Sequence, residues 1–147
     1  MTGSVQLTSR QSAEFRRNGY LLVPQLFDAE SIALLDKIAR ADRAIAAAGA
    51  MEDADGGKSK IWITHELHKN IYTAFVHCER IVQPMEQIFE GPVNHWHHKM
   101  ILKEPRIGGA WEWHQDYGYW YIETCLFPRL ASCLIAVDRA VKENGCL

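Results

Sequence analysis

The apolar pattern changes period partway along this chain, and that change limits the fold more than any other feature. Up to Gly91-Pro92 the apolar residues recur near helical spacing. From Val93 onward they alternate as side chains do along a strand. Helices first and strands after point to an α+β domain or a helix-supported β-sandwich. The 147 residues suit a single domain, mainly helical over 1–92 and strand-forming over 93–147, with no internal repeat.

Local signals divide the helical half. Thr8 or Ser9 caps a short helix with Phe15 on its buried face, and Asn18-Gly19 stops it because both residues tolerate the left-handed conformation. Tyr20-Leu21-Leu22-Val23 reads as a short strand ended by Pro24. Asp28 is the next N-cap. Ile32, Leu34, Leu35, Ile38 and Ile45 then fall near helical spacing in one helix expected from Ala29 to Ala48, ended by Gly49. Its Ala-rich tail offers little to bury. Residues Met51 to Lys58 are polar and Gly-rich and read as a mobile loop rather than a domain boundary. Ile61-Trp62-Ile63 reads as a strand. Glu66 to Glu90 suits one or two helices, broken near His77 or kinked at Pro84, and Gly91-Pro92 closes this half.

In the second half, strands are expected over Val93–Lys103, Trp111–Asp116 and Leu130–Val137. A polar turn over Asp138–Gly145 follows, and Cys146-Leu147 reads as the opening of another strand. The second strand of that hairpin is then missing. Unpaired strand edges are a liability that native domains avoid, so the chain reads as a fragment.

Composition excludes several classes. Apolar residues are 48% and charged residues 23%, the balance of an ordinary globular protein. The formal net charge is −2 without a long basic run, so nothing points to nucleic acid or a membrane surface as partner. No apolar stretch reaches the roughly 20 residues of a membrane helix. The N-terminus lacks the basic-then-apolar order of a secretion signal. Cys78, Cys125, Cys133 and Cys146 form no Cys-x-x-Cys pair and read as reduced thiols of a cytoplasmic protein.

Four of the seven His lie between His95 and His114, and four of the five Trp between Trp96 and Trp120. Within that crowded stretch, His114-Gln115-Asp116 carries the clearest chemistry. In a strand the side-chain period is two, so His114 and Asp116 project from one face. A neutral imidazole and a carboxylate side by side supply two of the three ligands of a 2-His-1-carboxylate site, which leaves positions open on iron. By itself a His-x-Asp tripeptide is common.

The surrounding residues raise its weight. His98-Lys99-Met100-Ile101-Leu102-Lys103-Glu104-Pro105, Gly108-Gly109, Trp113-His114-Gln115-Asp116-Tyr117, Trp120, Ala136-Val137-Asp138 and Glu143-Asn144-Gly145-Cys146-Leu147 follow one another in an order that resembles the core of the phytanoyl-CoA dioxygenase family. Phe15-Arg16-Arg17-Asn18-Gly19-Tyr20, with the strand and long helix after it, resembles the same family.

That resemblance implies an N-terminal portion of a non-haem oxygenase using Fe(II), 2-oxoglutarate and O2 to hydroxylate a small organic substrate. It implies a double-stranded β-helix (jelly roll) with supporting N-terminal helices, cut after about half of its core strands, and iron held by His114 and Asp116. The family's distal His ligand and the Arg that grips the far carboxylate of 2-oxoglutarate are implied to lie past Leu147. As it stands, the chain is therefore expected to bind iron weakly and turn over little. Asp116 occupies the position a halide would need, which disfavours halogenation.

Further positions follow from the same resemblance. Met100 matches a strand lining the 2-oxoglutarate pocket, although core packing also accounts for it. Lys60 lies where relatives place a basic residue near the co-substrate, although a solvated lysine fits equally. Leu134 and Ser132 share a strand face and could line the same pocket, with core packing favoured for Leu134. Trp120 stands where relatives bring an aromatic ring over substrate. His95 and His97 share a strand face, with His98 pointing away, as a weaker zinc or copper alternative. Tyr117, Tyr119 and Tyr121 would line a substrate mouth if extended. The alternative to an oxygenase is a non-catalytic jelly-roll binding module or an inactive truncated product.

Overall fold

The computed structural model describes residues 5–111 and 113–146. In chain order the elements are α1 (Ser9–Asn18), α2 (Ala29–Ala41), α3 (Arg43–Ala46), β1 (Ala50–Glu52), β2 (Lys58–Thr64), α4 (Ile71–Val76), α5 (Glu79–Phe89), β3 (His98–Lys103), α6 (Tyr117–Ile122) and a 3-10 turn at Lys142–Asn144. Mixed helices with one three-stranded sheet, order β1-β2-β3, are consistent with the α+β class. The chain divides into two compact units. One takes in the chain as far as Arg40 together with Thr64–His98. The other takes in Ala41–Ile63 and the chain from Lys99 onward.

The first unit is built from α1, α2, α4 and α5. Its α1 starts and stops where the caps say. The Thr8 side chain accepts from Gln11 N–H while Gln11 reaches back to Thr8 N–H, and Gly19 closes the helix at φ 77°. Asp28 caps α2, its carboxylate accepting from Ser31 N–H at 2.7 Å. Leu35 and Ala39, four residues apart, are the buried row of α2, with Leu7 and Tyr72 completing the core; Leu34 and Ile38 face solvent. Gln87 of α5 holds Leu7 at both backbone polar atoms, at 2.6 and 3.1 Å. The Arg80 guanidinium donates to Leu26 C=O at 3.0 Å and lies over Phe27, which packs on Phe75. The break between α4 and α5 falls at His77, and Pro84 is accommodated inside α5.

In the second unit the expected single helix to Ala48 is interrupted. Asp42 adopts an extended conformation and its carboxylate accepts from Ala44 N–H at 2.8 Å, which starts α3 afresh. Ile45 of α3 is 1% exposed, the most buried large side chain described. The stretch expected to be a mobile loop is a hairpin turn instead. β1 pairs antiparallel with β2, Ala50 opposite Lys60 and Glu52 opposite Lys58. β2 contains the expected Ile61-Trp62-Ile63 strand, with Ser59 buried beside it.

Several expected strands are absent among the described residues. Tyr20–Val23, Val93–His97, Trp111–Asp116 (where Glu112 is not described) and Leu130–Val137 form no ladder. A strand is stabilised by its partner's backbone groups and side chains, so alternation alone does not make one. The expected strand at Cys146-Leu147 runs into Leu147, outside the described residues.

Candidate metal centre

The His114–Asp116 pair forms, but not by strand alternation. Asp116 sits in the right-handed helical region (φ −66°, ψ −35°) at the N-cap of α6, and His114 precedes it in irregular backbone. Asp is a favoured capping residue, yet the Asp116 side chain makes no capping hydrogen bond. Its Oδ1 lies 3.1 Å from His114 Nε2 instead. Both side chains stay accessible, 42% exposed for His114 and 45% for Asp116. The Trp111 ring lies 6.4 Å from the His114 ring, and Lys99 Nζ is 6.0 Å above Trp111.

This spacing passes a simple test. Nitrogen and oxygen ligands sit about 2.0–2.2 Å from a first-row divalent ion, so two adjacent ligands at right angles are about 3.0 Å apart. The donor set, one imidazole and one carboxylate, suits Fe(II). Among the described residues no group of three or more His, Cys, Asp or Glu converges on one point.

The other expected site positions scatter more widely in environment. On β2, the Lys60 ammonium pairs with Glu104 Oε1 at 2.8 Å. Met100 is half-buried on β3. Leu134, for which core packing was favoured, is 69% exposed, and Ser132 is exposed as well. Trp120 is half-buried in α6. Because α6 is helical, Tyr117, Tyr119 and Tyr121 do not share a face. Tyr117 and Tyr121, four apart, meet with ring centroids 6.2 Å apart, and Tyr119 is exposed.

The sequence reading missed Asp53. Its carboxylate accepts from Gly57 N–H at 2.6 Å and Asp55 N–H at 3.1 Å, and its other oxygen accepts from Ala110 N–H at 2.6 Å. These bonds hold its pKa below the usual carboxylate value. Asp followed by Gly56-Gly57 is a legible turn signal. The bond to Ala110 is not local and leaves no such signal.

In the first unit the histidines pair differently from the strand expectation. His95 Nε2 lies 3.0 Å from His98 Nδ1, because residues 93–97 are not a strand. His65 Nδ1 donates to Trp96 C=O at 3.1 Å, and its ring stands edge-on to His97. Burial first, then the nearby His77 and His65, depress the pKa of His95. Burial, then His95, His97 and His68, depress that of His98. A histidine with a folded pKa below its unfolded 6.5 binds fewer protons folded than unfolded. Its stability contribution is complete above 6.5 and lost as pH falls through the folded value. Melting temperature is therefore expected to be level from pH 8 to 7 and to fall by several degrees toward pH 5. His98→Gln should flatten that fall, and an unchanged slope in the variant would count against the pair as its source.

The chain is also similar to known proteins. The Phytanoyl-CoA dioxygenase (PhyH) family model matches residues 15–147. The chain is 28% identical to the L-proline trans-4-hydroxylase of Streptomyces griseoviridis, over 90% of this chain and 50% of that protein. It is 29% identical to the ectoine dioxygenase of Stutzerimonas stutzeri (strain A1501), over 90% and 46%, and 28% identical to that of Streptomyces avermitilis, over 96% and 50%. The chain thus spans about half the length of the curated relatives it matches. With a family match over nearly all of its residues, this chain belongs to the phytanoyl-CoA dioxygenase family.

Proposed function

We propose that the chain carries two iron ligands of an Fe(II)- and 2-oxoglutarate-dependent dioxygenase that hydroxylates a small organic substrate. The observation that carries this reading is the Asp116 carboxylate, which leaves the cap of α6 unmade and meets His114 Nε2 at 3.1 Å. His114 would hold the ion through its imidazole, and Asp116 through its carboxylate, which would offset one of the two positive charges. Bound iron(II) would supply the activation of O2 coupled to decarboxylation of 2-oxoglutarate.

Around this pair, Lys60, Met100 and Leu134 line the co-substrate and Trp120 faces the substrate. Lys60 reaches a ligand carboxylate by exchanging its present partner Glu104, one carboxylate for another. The exposed side chain of Leu134 gains an apolar contact when the site is filled. The proposed frame is a single jelly-roll domain with β3 among its strands and the N-terminal helices as support. The names of the relatives, a proline hydroxylase and two ectoine dioxygenases, favour a compact amino-acid-like substrate.

The test is succinate release from 2-oxoglutarate with Fe(II) and O2, across a panel that includes L-proline and ectoine. Iron-dependent succinate that tracks loss of one panel member supports the reading. A protein that neither takes up Fe(II) nor releases succinate leaves the non-catalytic binding module in its place.

A further inference from the structure

We infer that Asp53 is a positioning residue for the His114–Asp116 pair, anchoring the segment that carries it through the Ala110 amide. The inference rests on the iron site proposed above. Closing the hairpin turn needs only Oδ1, which accepts from Gly57 and Asp55. The second oxygen has no part in the turn, yet it accepts from Ala110 N–H at 2.6 Å across 57 residues of sequence.

The neighbouring contacts make the same seam. Lys58 N–H donates to Ile107 C=O at 2.6 Å, and the buried Ser59 hydroxyl donates to Gly109 C=O at 3.4 Å. A Cβ on Gly109 would stand 2.6 Å from the Gly57 carbonyl oxygen and 2.9 Å from Asp53 Oδ2, so the two backbones touch there and only glycine fits.

His114 lies four residues beyond Ala110, with Trp111 between them beside its ring. No strand ladder holds the described residues 113–116. Asp53 at Ala110 and α6 at Asp116 fix the backbone on either side of them. Outer partners of this kind orient metal ligands, and their loss typically weakens metal binding about 10–100-fold.

The test uses Co(II), which is stable in air, as the probe for the iron site. Asp53→Asn puts an amide N–H where one N–H acceptor was, and is expected to weaken Co(II) uptake about 10-fold. Asp28→Asn keeps a capping oxygen for α2 in the other unit but removes the negative charge that lies 3.8 Å from the Arg80 guanidinium. It should lower the melting temperature without changing Co(II) affinity, which a merely structural role for Asp53 would also do. Wild-type affinity in Asp53→Asn overturns the inference, as does an equal loss in Asp28→Asn. Wild-type affinity in His114→Ala overturns the iron site itself, and the inference with it.

If Asp53→Asn does not fold, hydrogen exchange on the wild-type protein decides. Coupling is reciprocal, so Co(II) loading should slow exchange at the Ala110 and Gly57 amides. Exchange unchanged by Co(II) overturns the inference.

Discussion

His114→Ala is expected to lose Fe(II) uptake by at least about 100-fold and, in a protein that carries the whole family domain, iron-dependent succinate release with it. That is the upper scale for removing a mere outer partner of a metal ligand, and the proposed function makes His114 a ligand outright. Asp116→Ala should do the same, because it removes the carboxylate whose charge offsets that of the ion. Stability should hardly change. Both side chains are more than two-fifths exposed, and Asp116 makes no capping bond to lose. Exposed substitutions away from such features usually shift stability by less than about 0.5 kcal/mol. The paired readouts separate chemistry from folding: isothermal metal titration and succinate release should collapse while the thermal melt stays put. A His114→Ala protein that takes up iron as the wild type does would remove the basis of the proposed function.

The largest effect on stability is expected at Ile45, a residue far less conspicuous in sequence. Ile45 is 1% exposed and belongs to α3, a helix of only four residues. A helix that short contributes little by itself, so its place depends on what its one buried side chain fills. Ile45→Ala removes that packing and leaves a cavity, at a cost of about 2–5 kcal/mol. Against a typical total of about 5–15 kcal/mol, that loss decides whether the second unit stays folded at 37 °C. Leu134→Ala is the internal contrast: 69% exposed, it should cost less than about 0.5 kcal/mol. Urea titration measures both. A lower midpoint for Ile45→Ala at unchanged slope is the expected result. Equal midpoints for the two variants would show that burial at Ile45 is not what holds α3.

How far each feature was legible in the sequence follows from how local its cause is. The caps of α1 and α2 were read from Thr8, Gly19 and Asp28, because capping involves groups three or four residues apart. Of the two alternatives between Glu66 and Glu90, a break near His77 or a kink at Pro84, the structure takes the break. The helix expected to run to Ala48 was misread, although Asp42 is a capping residue type, because Ala-rich sequence favours continuation and a mid-helix Asp can simply point to solvent. The turn at Met51–Lys58 was read as mobile on its glycines, whereas the Asp53 carboxylate organises it. The strands expected at Tyr20–Val23 and Leu130–Val137 failed because a short apolar run reports strand propensity, not the presence of a neighbouring strand.

The sequence by itself determined the family, the residue types of the His114–Asp116 pair and their spacing of two, since these are properties of order and identity along the chain. Only the tertiary structure decided how the pair is brought together. An alternating strand and an irregular segment running into a helix cap both bring positions two apart within reach, and the choice between them depends on whether a partner strand is present. The same holds for the seam at Asp53 and Ala110 and for the burial of Ile45. Each joins or encloses groups far apart in sequence, and hydrogen bonds or cavities closed across such distances have no periodicity for a sequence to display.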